Sequence, residues 1–177
     1  MLELAILGFL REEPMHGYEL KQRLTMLTGH FRPVSDGALY PAIARLEKHG
    51  WVVKRQEQGK AASVRLVLTL TESGEKELLD RLAHPDDVDI SDRNRFFTFL
   101  AFLKYLPKDQ QRNILARRLS FLEAGRSFFS AGGNPVGMRQ EEDPFRRGML
   151  HIARETSRVE KEWLRAQIAL LADEALQ

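Results

Sequence analysis

The hydrophobic pattern changes from helical to strand-like and back again within the first half of the 177-residue chain. Apolar residues recur at helical spacing in three successive segments, which predicts three helices within residues 2–50. Two strand-like runs follow, at 51–55 and 64–70, and the glycine-containing break between them predicts a β-hairpin. Thr71 then caps a fourth helix that continues through Leu82. This order of elements is typical of a winged helix-turn-helix domain.

The second half of the chain has a different organisation. The segment 84–92 is acidic, contains a proline and lacks helical periodicity, so we interpret it as a linker between domains at 1–83 and 93–177. Residues 93–106, 108–129 and 144–175 each carry a helical pattern. The predicted fold class is therefore mainly α: an N-terminal winged helix-turn-helix (three helices, a β-hairpin wing and a fourth helix) followed by an all-α C-terminal dimerisation domain.

Composition and motifs exclude several classes of protein. The absence of cysteine removes disulfide scaffolds, thiolate metal sites and cysteine nucleophiles. The five histidines show no metal-ligand spacing, and the chain has no phosphate-binding glycine motif and no GxSxG. We therefore predict no enzyme activity, no cofactor and no metal. Because no apolar run reaches about 20 residues and the start of the chain lacks a basic signal region, we expect a cytoplasmic protein without membrane contact.

The third predicted helix carries the clearest sign of function. Ser35 is a good N-cap, and Leu39, Ile43 and Leu46 form the buried stripe of this helix. The outward positions are mostly small, and a helix with small side chains can approach the base edges of a major groove closely. These outward positions are Gly37, Tyr40, Pro41, Ala44 and Lys48, with Arg45 beside them.

Pro41 is an unusual residue for the interior of this helix. A proline there removes the amide hydrogen bond to the Gly37 carbonyl, which costs helix stability. We interpret this turn as shaped for an external surface. The alternative is that Pro41 tightens a short buried turn.

Positive charge is concentrated in the same region. The whole chain has a net charge of only +2, whereas residues 16–65 contain nine basic and four acidic residues. A basic segment within a nearly neutral protein is the pattern expected for phosphate contacts. Lys21 belongs to this segment, and Lys60 at the hairpin tip and Arg65 on the returning strand are placed for contacts with the DNA backbone or minor groove. Each of these residues alone could instead be an ordinary solvated surface charge.

Four segments of the first half carry dense motifs in a recognisable order: 4–8 (LAILG), 14–20 (PMHGYEL), 35–43 (SDGALYPAI) and 46–50 (LEKHG). Together they resemble the signature of PadR-family transcriptional regulators. The second half resembles, more weakly, the helical C-terminal domain of the longer PadR subgroup, which is related to virulence activators.

The resemblance implies a homodimer that binds a partly palindromic, double-stranded operator and that represses transcription. It implies a phosphate contact from Tyr18 near the start of the second helix. It also implies a reading edge on the third helix, formed by Ser35, Gly37, Ala38, Tyr40 and Pro41. At Leu68 and Thr69 the chain departs from the aromatic and basic pair that the family usually has in the returning strand of the wing.

The last predicted helix has a regular apolar seam with alternating spacings of four and three residues. Sustained spacing of this kind favours association of helices, and we predict that the seam forms a dimer interface. The alternative is packing onto the two preceding helices of the same chain. The seam consists of Phe145, Met149, Ile152, Thr156, Val159, Trp163, Ala166 and Leu170.

The family resemblance further implies a small hydrophobic or aromatic effector, bound near the domain junction or the dimer interface. Phe96, Phe99 and Trp163 are the candidate lining residues. The simpler interpretation is that these aromatic side chains form the core of a helical domain. The remaining alternative function is a winged-helix module that binds protein partners without specific DNA binding.

Overall fold

The computed structural model describes residues 1–28, 33–58, 64–124, 130–131, 134–135 and 141–173. The chain divides into two compact units, Met1–Leu106 and Pro107–Gln177. The described residues are mainly helical, and the first unit contains a three-stranded antiparallel sheet. This architecture confirms the predicted fold class.

The predicted helices and the hairpin occur in the expected order, and the structure adds the short elements β1, α5, β4 and β5. The helices are α1 (Leu2–Glu12), α2 (Gly17–Thr28), α3 (Asp36–Lys48), α4 (Glu72–Ala83), α5 (Asp87–Ser91), α6 (Arg93–Phe102), α7 (Lys108–Glu123) and α8 (Pro144–Asp173). The strands are β1 (Met15–His16), β2 (Val52–Gln58), β3 (Val64–Leu70), β4 (Ser130–Ala131) and β5 (Asn134–Pro135).

Helices α1 to α3 pack around a common apolar core. The predicted stripe of α3 is buried, and its N-terminus is capped because the Ser35 hydroxyl oxygen accepts a hydrogen bond from the Ala38 N–H at 3.2 Å. The side chains that these three helices bury almost completely include Leu4, Ile6, Leu7, Leu10, Leu20, Leu24, Leu39, Ile43 and Leu46. Removing this much apolar surface from water is the main stabilising contribution to the first unit.

The predicted hairpin is present as β2 and β3, which pair from Val52 opposite Leu70 to Gln58 opposite Val64. The tip, residues 59–63, lies outside the described residues. A third strand that the periodicity did not predict, β1, pairs with β3 and places Met15 opposite Leu68. Two residues are too few to show strand periodicity, so β1 can be recognised only from its pairing with β3.

The start of helix α4 packs closely on the turn at Gly50 and Trp51, between α3 and β2. The Thr71 hydroxyl oxygen caps α4 by accepting a hydrogen bond from the Gly74 N–H at 3.0 Å. A Cβ at Gly74 would overlap the backbone carbonyl of Trp51. The glycine is therefore required by the close approach of two backbone segments.

The segment 84–92 differs from the expected linker, because most of it is helix α5. Asp86 and Asp89 form a capping box, in which each side chain accepts a hydrogen bond from the backbone N–H of the other. Ile90 is buried, and the Phe102 ring of α6 meets Phe9 of α1 edge to face at 5.1 Å. The first compact unit accordingly extends to Leu106 and includes residues that we had expected in the second domain.

The second unit consists mainly of α7 and α8, with the short β4–β5 pair between them. Leu164 of α8 is fully buried. Arg118 of α7 is also buried, and its guanidinium binds the Glu160 carboxylate of α8 at 2.7 Å. A buried arginine needs a charged partner of this kind, since an unpaired charge would be costly to bury.

Candidate nucleic-acid interface

The outer face of α3 is exposed as the periodicity predicts. Its inner residues Leu39, Ala42, Ile43 and Leu46 are buried, and the side chain of Tyr40 is 55% exposed. The outward residues Gly37, Ala38, Pro41, Ala44, Arg45 and Lys48 are exposed as well. The face thus presents small side chains around one tyrosine, with two cations toward its C-terminal end. DNA contact by these residues stays a prediction.

The residues that the structure describes do not require a glycine at position 37. Among them, a Cβ built there would have only the Ser35 hydroxyl nearby, at 3.9 Å, which is ordinary van der Waals contact. An alanine would also favour the helix more than glycine does. The lack of a side chain at Gly37 is therefore better explained by an external surface that approaches this turn.

Pro41 lies inside α3 and is exposed. Its exposure does not agree with the alternative in which it tightens a buried turn. Because proline has no N–H, the Gly37 carbonyl lacks its usual partner four residues later. The helix continues to Lys48 in spite of this cost.

The start of α2 adds polar and aromatic groups next to this face. The phenol of Tyr18 is 58% exposed, and its ring stacks on His16 with a centroid separation of 6.0 Å. The Tyr18 hydroxyl donates to the Glu19 carboxylate at 3.2 Å. A Cβ on Gly17 would lie 3.7 Å from the ring of Tyr40, so Gly17 of α2 adjoins the tyrosine of α3.

His16 connects the helix-turn-helix to the wing. Its Nδ1 lies 3.0 Å from the Leu66 carbonyl oxygen of β3, and its backbone N–H donates to Glu19 at 2.9 Å. The hydrogen bond from the His16 backbone N–H lowers the pKa of Glu19 below its ordinary value. The wing strand and the start of α2 are therefore held together next to Tyr18.

Two of the predicted DNA-binding cations already have acidic partners. Lys21 of α2 lies 2.7 Å from the Asp36 carboxylate of α3, and Nε of Arg45 donates to the Glu3 carboxylate at 2.8 Å. Both cations are partly exposed and belong to the first unit. The sequence pattern did not predict these pairs, since Glu3 and Arg45 are 42 residues apart along the chain.

The other basic side chains of the region differ in whether they have an acidic partner. Lys54 pairs with Glu47 at 2.7 Å. Lys48 and Arg55 are exposed, and neither forms an ion pair with another residue that the structure describes. Lys60 lies outside the described residues, whereas Arg65 is placed only as part of the backbone of β3. The predicted wing contacts of these last two residues stay predictions.

The three residues predicted to line an effector pocket fall in different units. Phe96 and Phe99 are buried in the first unit, which agrees with the simpler interpretation that they are core residues. Trp163 lies on α8 of the second unit and is partly exposed. The effector pocket therefore stays a prediction.

The seam of α8 is exposed along most of its length on the single chain. Its large apolar side chains range from 41% exposure at Trp163 to 86% at Phe145. Leu164, the buried residue of α8, lies on a different face from the seam. The described part of the chain thus does not pack its own helices over the seam.

Neither a metal centre nor a membrane span is found in the described part of the chain. No cluster of three or more histidine, aspartate or glutamate residues within it could hold a metal ion. None of its helices is long and apolar enough to cross a membrane.

Comparison with known proteins shows a family similarity in the first half of the chain. Residues 6–80 match the model of the Transcriptional regulator PadR-like family, and these residues comprise most of α1, all of α2 and α3, the wing and most of α4. The chain is 24% identical over 124 residues to the negative transcriptional regulator PadR of Bacillus subtilis, covering 70% of this chain and 68% of that protein.

Two further matches were found, one by sequence and one by structure. An uncharacterized 37.1 kDa protein in transposon TN4556 of Streptomyces fradiae is 34% identical over 82 residues, which is 46% of this chain and only 22% of that protein. The crystal structure of Bacillus subtilis PadR in complex with operator DNA has 22% sequence identity and a TM-score of 0.46, covering 96% of this chain and 98% of that one. Residues 6–80, which contain nearly all of the four sequence motifs, are thus similar to the PadR-like family of transcriptional regulators.

Proposed function

We propose that this protein is a cytoplasmic, homodimeric transcriptional repressor that binds a partly palindromic operator and reads it with the exposed face of α3. The observation that carries the proposal is the set of side chains exposed on that face. Small residues and one tyrosine are exposed there, and no packing contact among the described residues requires the glycine at position 37. A recognition helix of this kind enters the major groove and contacts base edges with its N-terminal residues.

Phosphate contacts around the groove would come from the surrounding cations and from Tyr18. Lys48 and Arg55 are exposed and without ion pairs among the described residues. Lys21 is paired with Asp36, so DNA would compete with that carboxylate for the ammonium group. The Tyr18 hydroxyl is exposed and can donate to a phosphate oxygen in place of Glu19.

Dimerisation through the α8 seam is the second part of the proposal. The seam from Phe145 to Leu170 is about 37 Å long at the rise of an α-helix. Apolar side chains repeated at this spacing bury best against a second helix with the same pattern. We therefore assign the seam to a second copy of this chain. Two α3 helices could then meet half-sites separated by one helical turn of DNA or a multiple of it.

Effector control is the third part of the proposal. A small hydrophobic or aromatic molecule that binds near Phe96, Phe99 or Trp163 would release the operator by changing the separation of the two reading helices. Phe96 and Phe99 are buried, so a ligand there would have to displace core packing, whereas Trp163 is accessible. A ligand that abolishes DNA binding without changing that separation would contradict this mechanism.

The test is a titration of the protein against a duplex from upstream of its own coding sequence, at two salt concentrations, with an unrelated duplex as control. The proposal predicts tight binding that prefers the upstream duplex and weakens strongly as salt is raised, because bound cations release counterions from DNA. Weak and equal binding to both duplexes, together with no sequence enriched from a random duplex pool, would contradict it. That result would favour a winged helix that binds protein partners.

A further inference from the structure

A cluster of four charged residues joins α3 to two other helices of the first unit. One oxygen of the Glu3 carboxylate on α1 accepts from Nε of Arg45 at 2.8 Å, and the other accepts from Arg81 of α4 at 3.3 Å. Arg81 is held in turn by Glu77 at 2.7 Å and lies over the ring of Trp51. Glu3 thus receives charged partners from two sides.

We propose that Glu3 is a positioning residue for DNA recognition, which holds the Arg45 guanidinium by its Nε edge so that the other N–H groups can bind a DNA phosphate. This inference rests on the proposed function of α3. A guanidinium has five N–H donors, and the Glu3 contact uses the one on Nε. Among the residues that the structure describes, the Arg45 guanidinium has no other partner, and its side chain is 58% exposed.

The position of Arg45 on α3 supports this role. It lies four residues after Pro41 and seven after Ala38, and therefore on the same exposed face as both. A guanidinium can bind a phosphate through two parallel hydrogen bonds if its plane is correctly oriented. A long arginine side chain without a fixed contact would lose much of its rotamer freedom on binding, whereas the Glu3 contact restricts it before DNA arrives.

Glu3 is itself well fixed and ionised. Its side chain is only 24% exposed, and it lies in the first turn of α1. Burial, the largest single cause, raises the pKa of Glu3, but the hydrogen bonds from Arg45 and Arg81 and their positive charges together lower it by more, so the pKa lies below its ordinary value. Arg81 is also paired with Glu77, so two carboxylates balance the two guanidiniums of the cluster. The N–H groups of Arg45 that Glu3 does not bind stay available to a phosphate.

A purely electrostatic account of Glu3 makes the opposite prediction. A carboxylate near the DNA repels phosphates, so its removal would add one unit of positive charge to the region and tighten binding to any duplex. A positioning role predicts that its removal weakens binding to the operator. The sign of the change in operator affinity therefore separates the two accounts.

The experiment uses an operator selected from a random duplex pool by the wild-type protein. We expect Glu3→Ala to weaken operator binding by about three- to tenfold, with binding to an unselected duplex unchanged or tighter. Glu3→Gln keeps a hydrogen-bond acceptor for Arg45 and should retain most of the operator affinity. Glu77→Ala is the matched control, because Glu77 is a carboxylate partner of Arg81 that does not contact Arg45.

A double-mutant cycle excludes an indirect effect on folding. In the Arg45→Ala background, Glu3→Ala should cause no further loss of operator affinity. An equal loss in both backgrounds would overturn the proposal, since Glu3 would then act through the fold. Operator binding by Glu3→Ala as tight as or tighter than wild type would overturn it in favour of repulsion. Selection of no sequence by the wild-type protein would instead refute the proposed function on which the inference rests.

Discussion

The ammonium of Lys21 lies 2.7 Å from the carboxylate of Asp36, so an ion pair joins α2 to the first turn of α3. Both side chains are more than one third exposed, and ion pairs of this kind contribute about 0–1 kcal/mol to stability. The pair orients two helices of the helix-turn-helix, while the lysine remains accessible to a phosphate.

Replacing this lysine should therefore affect DNA binding more than folding. We expect Lys21→Ala to lower the free energy of unfolding by less than about 1 kcal/mol and to reduce the salt dependence of duplex binding by about one counterion. Denaturant unfolding and duplex titrations over a range of salt measure the two effects. Lys76→Ala breaks a similar exposed pair with Glu72 on α4, and it should leave the salt dependence unchanged.

Alanine at position 37 should separate folding from recognition. The structure has room for a Cβ at Gly37, so Gly37→Ala should leave stability unchanged or raise it by up to about 1 kcal/mol. The added methyl group should nevertheless weaken operator binding by about fivefold or more, because it holds the helix away from the base edges. Thermal unfolding and operator titration of the same preparation check both effects.

A second glycine serves as the control for this experiment. Gly74→Ala would place its Cβ on the Trp51 carbonyl and should destabilise the protein by more than about 1 kcal/mol. If Gly37→Ala instead destabilised the protein and still bound the operator normally, Gly37 would be required for packing and would not face the DNA.

Tyr40 should be needed for DNA binding and not for folding. Its side chain is 55% exposed, so we expect Tyr40→Ala to change the free energy of unfolding by less than about 1 kcal/mol and to weaken operator binding while the dimer stays intact. The neighbouring Leu39 is fully buried, and Leu39→Ala should cost about 2–5 kcal/mol. Unfolding of the Tyr40 variant would show that Tyr40 is a core residue.

Charging the α8 seam should dissociate the dimer. Val159 is 58% exposed on the single chain, so Val159→Asp should leave the protomer folded but bury an unpaired carboxylate between two copies. We expect the dissociation constant to rise by at least about tenfold, as measured by analytical ultracentrifugation. Ala169→Asp adds the same charge at an exposed position of α8 outside the seam, and it should remain dimeric. Equal behaviour of the two variants would place the interface elsewhere.

Acid should remove the stabilising contribution of Glu3. The pKa of Glu3 is lower in the folded protein than its ordinary value. Ionised Glu3 therefore stabilises the folded protein fully at pH values above that ordinary pKa. This contribution is lost as the pH falls through the lowered pKa. The stability difference between wild type and Glu3→Gln should thus be present at neutral pH and shrink in acid, as measured by denaturant unfolding at both pH values. A difference that grew in acid would contradict the assigned direction.

Local signals in the sequence predicted most of the first unit. The stripe of Leu39, Ile43 and Leu46 set the orientation of α3, and Ser35 and Thr71 were correctly identified as helix caps. Helix α5 was missed because its start depends on a reciprocal capping box between Asp86 and Asp89, in a segment too short for periodicity.

The parts of the candidate site that could not be predicted depend on contacts between distant residues. The pairing of Glu3 with Arg45 joins residues 42 positions apart, and the contact of His16 with the Leu66 carbonyl joins residues 50 apart. Periodicity identifies the face of a helix on which a residue lies. It contains no information on which distant side chain meets that residue once the helices have packed.

The most direct test of the reading face uses the absence of cysteine from the chain. A single Ala44→Cys thiol would lie on the exposed face of α3, and Ala169→Cys would provide a matched exposed thiol on α8. The measurement is the rate at which each thiol is alkylated with and without the selected operator. The account predicts that DNA slows alkylation at position 44 and leaves the rate at position 169 unchanged. Equal alkylation of the position 44 thiol in free and DNA-bound protein would contradict it.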